Sequence, residues 1–218
     1  IVGCAEVDRA GAADDGLDVG DPSDPADPSD PSDPGPLAPA DADCLAALGD
    51  VPRAELWTRA GARLDGVDAP EVGFDWAPQG GLYTPYLLRV WGQPDLFQPS
   101  EYEGLGRVWA RWSVVDPADG YGLAVREGSN LLECVVEDDG EAFLAFAFDV
   151  EYFGEDYGGM TIDALEARQV DLSIALGRHP TPGPGVTQWG HATYTDAPVT
   201  FTVDLTVTEV LSSAVPVL

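Results

Sequence analysis

The sequence contains no lysine, and its ten basic residues, all arginine, stand against 39 Asp and Glu, for a formal net charge of -29. A field of that sign opposes nucleic acid and anionic lipid surfaces and favours cations, basic partners and solubility. No nucleic-acid partner is expected. Histidine is nearly missing too: His179 stands beside a Pro/Gly run and His191 sits in an alternating segment. Without Cys pairs, two histidines offer no zinc-ligand spacing, and without a Gly-x-Ser-x-Gly elbow they mark no activated serine. Neither a metal, a cofactor nor a catalytic residue is assigned. No apolar run approaches the roughly 18 residues that a membrane-spanning helix needs. The longest apolar stretch here, Ala142 to Phe148, is of strand length.

Proline and aspartate are plentiful at the beginning. Asp21-Pro22, Asp24-Pro25, Asp27-Pro28, Asp30-Pro31 and Asp33-Pro34 recur with period three. Proline at every third residue favours polyproline II, which repeats every three residues, so the five aspartates share one face. Successive ones stand roughly 9 Å apart along the axis, too far for one calcium ion to bind both. Residues 1–43 are therefore expected to be a disordered, self-repelling tether, and residues 44–218 one folded domain. Residues 1–44 hold 12 acidic side chains against Arg9, and residues 45–218 hold 27 against nine arginines, -11 and -18 of the total.

Ahead of the tether stands Ile1-Val2-Gly3-Cys4, which resembles the lipobox that closes a bacterial lipoprotein signal peptide. The resemblance covers these four residues and the character of the tether. It implies a signal peptide upstream of Ile1, cleavage before Cys4, and lipidation of Cys4. The protein would then lie in the cell envelope, lipid-anchored to the outer or the cytoplasmic membrane and extracytoplasmic. Two or three acyl chains hold a protein on a bilayer where one does so only marginally. With Cys4 acylated, Cys44 and Cys134 remain as an even pair in an oxidising compartment, which points to a disulfide; two buried free thiols are the alternative.

Within the domain, period-two alternation dominates. Tyr86 to Trp91, Arg107 to Val114, Tyr121 to Val125, Leu132 to Val136, Leu144 to Val150, Val170 to Leu176, Trp189 to Tyr194 and Val199 to Thr208 all read as strands. Turns are expected at Asp116–Gly120, Glu127–Asn130 and Asp138-Asp139-Gly140, and loops at Gly66–Gly81 and Pro180–Gly185. Leu45–Leu48 and Met160–Gln169 take short helical turns. Pro52–Leu64 fits neither period better than the other. The acidic runs Glu137–Glu141 and Gly154–Gly159 lack a calcium-loop pattern and read as solvated hairpins. About eight strands with little helix make an all-β domain, a single β-sandwich of which a jelly roll is one form.

One strand face stands out. Alternation turns Val108, Ala110, Trp112 and Val114 inward and Arg107, Trp109 and Arg111 outward. Two arginines beside an outward tryptophan make a positive, aromatic spot in a negative field, suited to ring stacking and guanidinium hydrogen bonds. These three are the candidate ligand-binding residues; the alternative is an edge tryptophan packed by its own arginines. The function expected is a surface-tethered, non-catalytic binding or structural domain with a glycan or protein ligand. The competing expectation is a secreted hydrolase working through carboxylates.

Overall fold

The computed structural model describes residues 39–76, 81–100, 102, 104–152, 161–180, 182–186, 192–194 and 199–217. Cys4, the Asp-Pro repeat, Gly154–Gly159, Trp189 and His191 lie outside the described residues. A helix α1 (Pro39–Ala47) precedes strands β1 (Arg53–Thr58), β2 (Glu71–Gly73), β3 (Asp75–Trp76) and β4 (Leu82–Trp91). A 3-10 turn (Pro94–Leu96) leads to β5 (Gln98–Pro99), β6 (Leu105–Val115), β7 (Gly122–Val136) and β8 (Ala142–Tyr152). After α2 (Ile162–Leu165) come β9 (Gln169–Arg178), the small hairpin of β10 (Pro182–Val186) and β11 (Ala192–Tyr194), and finally β12 (Phe201–Ser212).

Ten of the strands join in one sheet of order β1-β4-β8-β7-β6-β9-β12-β2, with β3 also on β4 and β5 on β6. All pairs are antiparallel except β2 with β12. The sheet passes from one layer into the other on two sides. β7 pairs with β6 from Gly122 to Glu133 and with β8 from Glu133 to Val136. On the far side β2 pairs with β12 and β3 with β4, with buried Phe74 between them. The sheet thus turns back on itself, and its halves face each other over one core. The fold is all-β and sandwich-like.

The core follows from strand parity. Inward Val108, Ala110, Trp112 and Val114 of β6 are all at most 3% exposed, while Arg107, Trp109 and Arg111 face outward, as alternation requires. Trp112 packs against Phe146 and Phe148 with ring centroids 6.1 and 5.2 Å away. Among these apolar groups lies one polar cluster. Glu209 of β12 is completely buried, and its Oε1 accepts a short hydrogen bond from the Tyr86 hydroxyl of β4. Beside it, the Thr84 and Tyr152 hydroxyls are 2.9 Å apart. Glu209 Oε2 has no hydrogen-bond partner among the described residues. Burial pushes the Glu209 carboxyl up to about 8, and Tyr86 donation offsets only part of that.

The expected disulfide is present: Cys44 of α1 and Cys134 of β7 are bonded, with Cα atoms 6.1 Å apart. Asp138-Asp139-Gly140 makes the expected hairpin turn, with Gly140 at φ +87°, a conformation that a side chain would strain. The carboxylates around it are engaged, Glu137 with Arg89 at 2.8 Å and Glu141 with Arg53.

Three expectations are corrected. Glu127–Asn130 is not a turn but the middle of β7, because β6 offers an unbroken partner and the pairing runs through all four residues. A ladder of backbone hydrogen bonds there outweighs the turn propensity of Gly-Ser-Asn. Gly66–Gly81 is not all loop; it contains β2 and β3, short strands held by β12 and β4. Pro180–Gly185, expected as loop, is strand from Pro182 on, in β10, which pairs with β11; this suits an edge where proline's missing N–H is tolerated. Within the ambiguous Pro52–Leu64, Arg53–Thr58 is strand β1, lying on β4, and a turn follows it.

Candidate functional site

The outer face of β6 is built by its neighbours. Pairing sets Trp109 opposite Ser129 of β7 on one side and Gly177 of β9 on the other. Gly177 has no room for a side chain: a Cβ there would stand 2.6 Å from the Thr200 carbonyl oxygen. The segment leading into β12 therefore presses close beside Trp109, and Phe201 reaches the same face.

Trp109 is half-buried and held at two points. Its indole N–H donates to Glu127 Oε1 at 2.9 Å, and its ring meets that of His179 edge-on, centroids 5.9 Å apart at 69°. His179, just past β9, is only 4% exposed. Its Nδ1 lies 2.9 Å from the Pro180 carbonyl oxygen and its Nε2 2.8 Å from Ser129 Oγ. A carbonyl oxygen can only accept, so Nδ1 carries the proton and Nε2 accepts from the serine hydroxyl. Burial lowers the His179 pKa, the Pro180 hydrogen bond opposes that, and the nearby Arg107 charge lowers it further. The imidazole is thus neutral at physiological pH and serves to fix Trp109 and Ser129.

The three residues expected on this face all lie on it. Arg111 lays its guanidinium 4.4 Å above the Phe201 ring. Arg107 contributes its charge near His179. Also beside Trp109 are Glu127, Ser129 and His179, which were not among the expected residues. Together the face offers an anchored aromatic ring, a carboxylate, a hydroxyl and flanking guanidiniums, the donor and acceptor mix that a hydroxyl-rich or anionic ligand uses.

No family model matches the chain, and no curated protein matches it. What the site does rests on its own chemistry. No group of three or more His, Cys, Asp or Glu among the described residues could hold a metal ion. A depression of about 220 Å3 lies elsewhere, lined by Phe74, Trp76, Leu82, Ile162 and Val215–Val217 among others, none of which belongs to the Trp109 face.

Because the Trp109 ring is tied to Glu127 and His179 but lies outside the core, Trp109→Ala should cost about 1–2 kcal/mol of stability. The buried Trp112 ring should cost at least twice as much when removed. Thermal melts of the two variants check this, and equal losses would make Trp109 a core residue and remove the candidate site.

Proposed function

We propose that the protein is a lipid-anchored, extracytoplasmic binding module. Its lipidated Cys4 would hold it to the membrane, its acidic tether would set the domain away from the bilayer, and the Trp109 face would bind a glycan or a protein ligand. The observation that carries this reading is the face itself. An aromatic ring immobilised by Glu127 and His179 is pre-organised, so a ligand stacking on it loses little side-chain freedom in binding. The disulfide supports the location, since such bonds persist in oxidising compartments and are rare in the cytosol.

The ligand is tested by retention on immobilised glycans and envelope proteins. Trp109→Ala should weaken binding by about 1–3 kcal/mol, beyond its small effect on folding. No retention on any surface, or retention indifferent to Trp109, sinks the reading. The anchor is tested separately. Expressed with a lipoprotein signal, the chain should partition into detergent, and Cys4→Ser should release it to the aqueous phase; a mutant that partitions unchanged rejects the lipid.

A second reading, hydrolysis, is favoured by the Ser129–His179 contact, a hydroxyl 2.8 Å from a neutral imidazole nitrogen. Against it, His179 is only 4% exposed. Fluorophosphonate labelling of Ser129, lost in Ser129→Ala, would establish it in place of the binding module.

A further inference from the structure

Among the described residues, a long strand edge of this fold has no strand beside it. Among the described residues, β7 pairs with β6 up to Glu133, and β8 takes its other side only from Glu133 onward. From Leu123 to Leu132 no described residue pairs with the other hydrogen-bonding edge of β7. Along it Val125 is 79% exposed and Leu131 is 42% exposed. Neither proline nor lysine blunts this edge, and a Cβ at Gly128 would meet no atom within 4 Å. An open, partly apolar edge of this length is a template for another strand.

We propose that the strand on this edge is β7 of a second copy, running antiparallel with the two-fold axis through Gly128. A two-fold perpendicular to a continuous antiparallel sheet passes through a residue position, since only then do paired side chains stay on one face. Charge then selects the position. An axis at Arg126 sets two arginines directly opposite, and one at Glu127 sets two glutamates opposite, both unfavourable. At Ser129 the axis puts Val125 against Glu133 and Glu127 against Leu131. At Gly128, Val125 meets Leu131, Arg126 meets Asn130 and Glu127 meets Ser129, each pair occurring twice. No like charges oppose, the two exposed apolar residues cover each other, and the axial residue has no side chain to clash.

The same register sets Ala124 against Leu132 and stops where β8 begins, so it uses almost the whole open edge. It also joins the outer faces of the two copies into one, with the two Trp109 positions three strand spacings across and two residues along, about 16 Å apart. The pairing does not depend on what that face binds. The net charge of -29 on each chain opposes association, and screening should relieve it. The dimer is therefore expected to tighten as salt is added.

Sedimentation equilibrium of the full chain, with the Cys4 thiol capped by alkylation, tests this at about 0.05 M and about 0.5 M sodium chloride. The expected result is a dimer, stronger at the higher salt, with slow amide exchange along Ala124–Leu132. Val125→Lys should weaken it by roughly tenfold or more although it makes the chain less negative, so repulsion could not explain the loss. Val125 is exposed, and a thermal melt confirms that the variant still folds. A monomer at every concentration, or a dimer indifferent to Val125→Lys, overturns the proposal. So does a monomer whose β7 amides become protected only when an extended peptide of unrelated sequence is added, which would give the edge to a different partner.

Discussion

Raising the pH from 5 to 8 should cost the folded domain about 3–4 kcal/mol through Glu209 alone, and Glu209→Gln should abolish that part of the dependence. The carboxyl lies wholly inside the core with one hydrogen bond, from Tyr86, and no counter-charge among the described residues. Burial raises its folded pKa to about 8, against an ordinary value of 4.5 in the unfolded chain. Between those values the folded state holds a proton that the unfolded state has released. Stability is then full below about pH 4.5 and falls by about 1.4 kcal/mol per unit as the pH rises towards 8. Glutamine keeps the carbonyl oxygen that accepts from Tyr86 and nearly the same volume, but cannot ionise. Urea unfolding at four pH values measures the gap between the two proteins. It should be near its minimum at pH 5 and widen in favour of the variant with each step; a constant gap rejects the account.

Glu209 shows how near the surface of the sequence some of this lay. The alternation from Val199 to Thr208 stops one residue short of it, and its parity with Val203 and Val207 already turns it inward. Period two reports side-chain direction faithfully wherever one face is buried, which is why β6, β9 and β12 were legible. The Asp-Pro-Ala-Asp-Gly and Asp-Asp-Gly turns were legible too, because positive φ at glycine is a local requirement. What could not be read locally was pairing. β2 and β3 are strands only because β12 and β4 accept them, and the middle of β7 is extended only because β6 runs alongside.

The site divides in the same way. Arg107, Trp109 and Arg111 share a face by parity within a single strand. Glu127, Ser129 and His179 reach Trp109 through register with β7 and through the end of β9, information separated in sequence by 18 to 70 residues. Reading Glu127–Asn130 as a turn took two of them off the strand. One signal could have recovered them: counting back from the hairpin turn at Asp116–Gly120 sets Trp109 opposite Glu127, two residues from its observed partner Ser129 and on the same face. The preference of Arg111 for Phe201 has no such signal, since β12 joins this face only by tertiary pairing.

The disulfide is expected to be the largest single contribution to stability, and removing it as Cys44→Ala with Cys134→Ala should lower the unfolding free energy by about 4–5 kcal/mol. The bond spans a sequence separation of 90, and closing a loop of that size in the unfolded chain accounts for a loss of that order in the entropic treatment. Its place in the fold makes the loss felt. It ties α1 to β7 at the stretch where that strand leaves β6 for β8. Apart from it, few contacts among the described residues hold α1: Leu45 packs against the core, and just past the helix Leu48 is buried and its carbonyl accepts a hydrogen bond from the Gly92 N–H at 3.2 Å. For a domain of this size the change corresponds to a melting temperature lower by about 10–15 °C. Against a typical total of about 5–15 kcal/mol, the reduced chain would be left with little margin. A double variant that melts within about 2 °C of the parent would reject the estimate, because so small a shift corresponds to about 1 kcal/mol or less. If the loss is found, the domain holds its normal stability only where the bond can form and persist, which ties that stability to oxidising conditions.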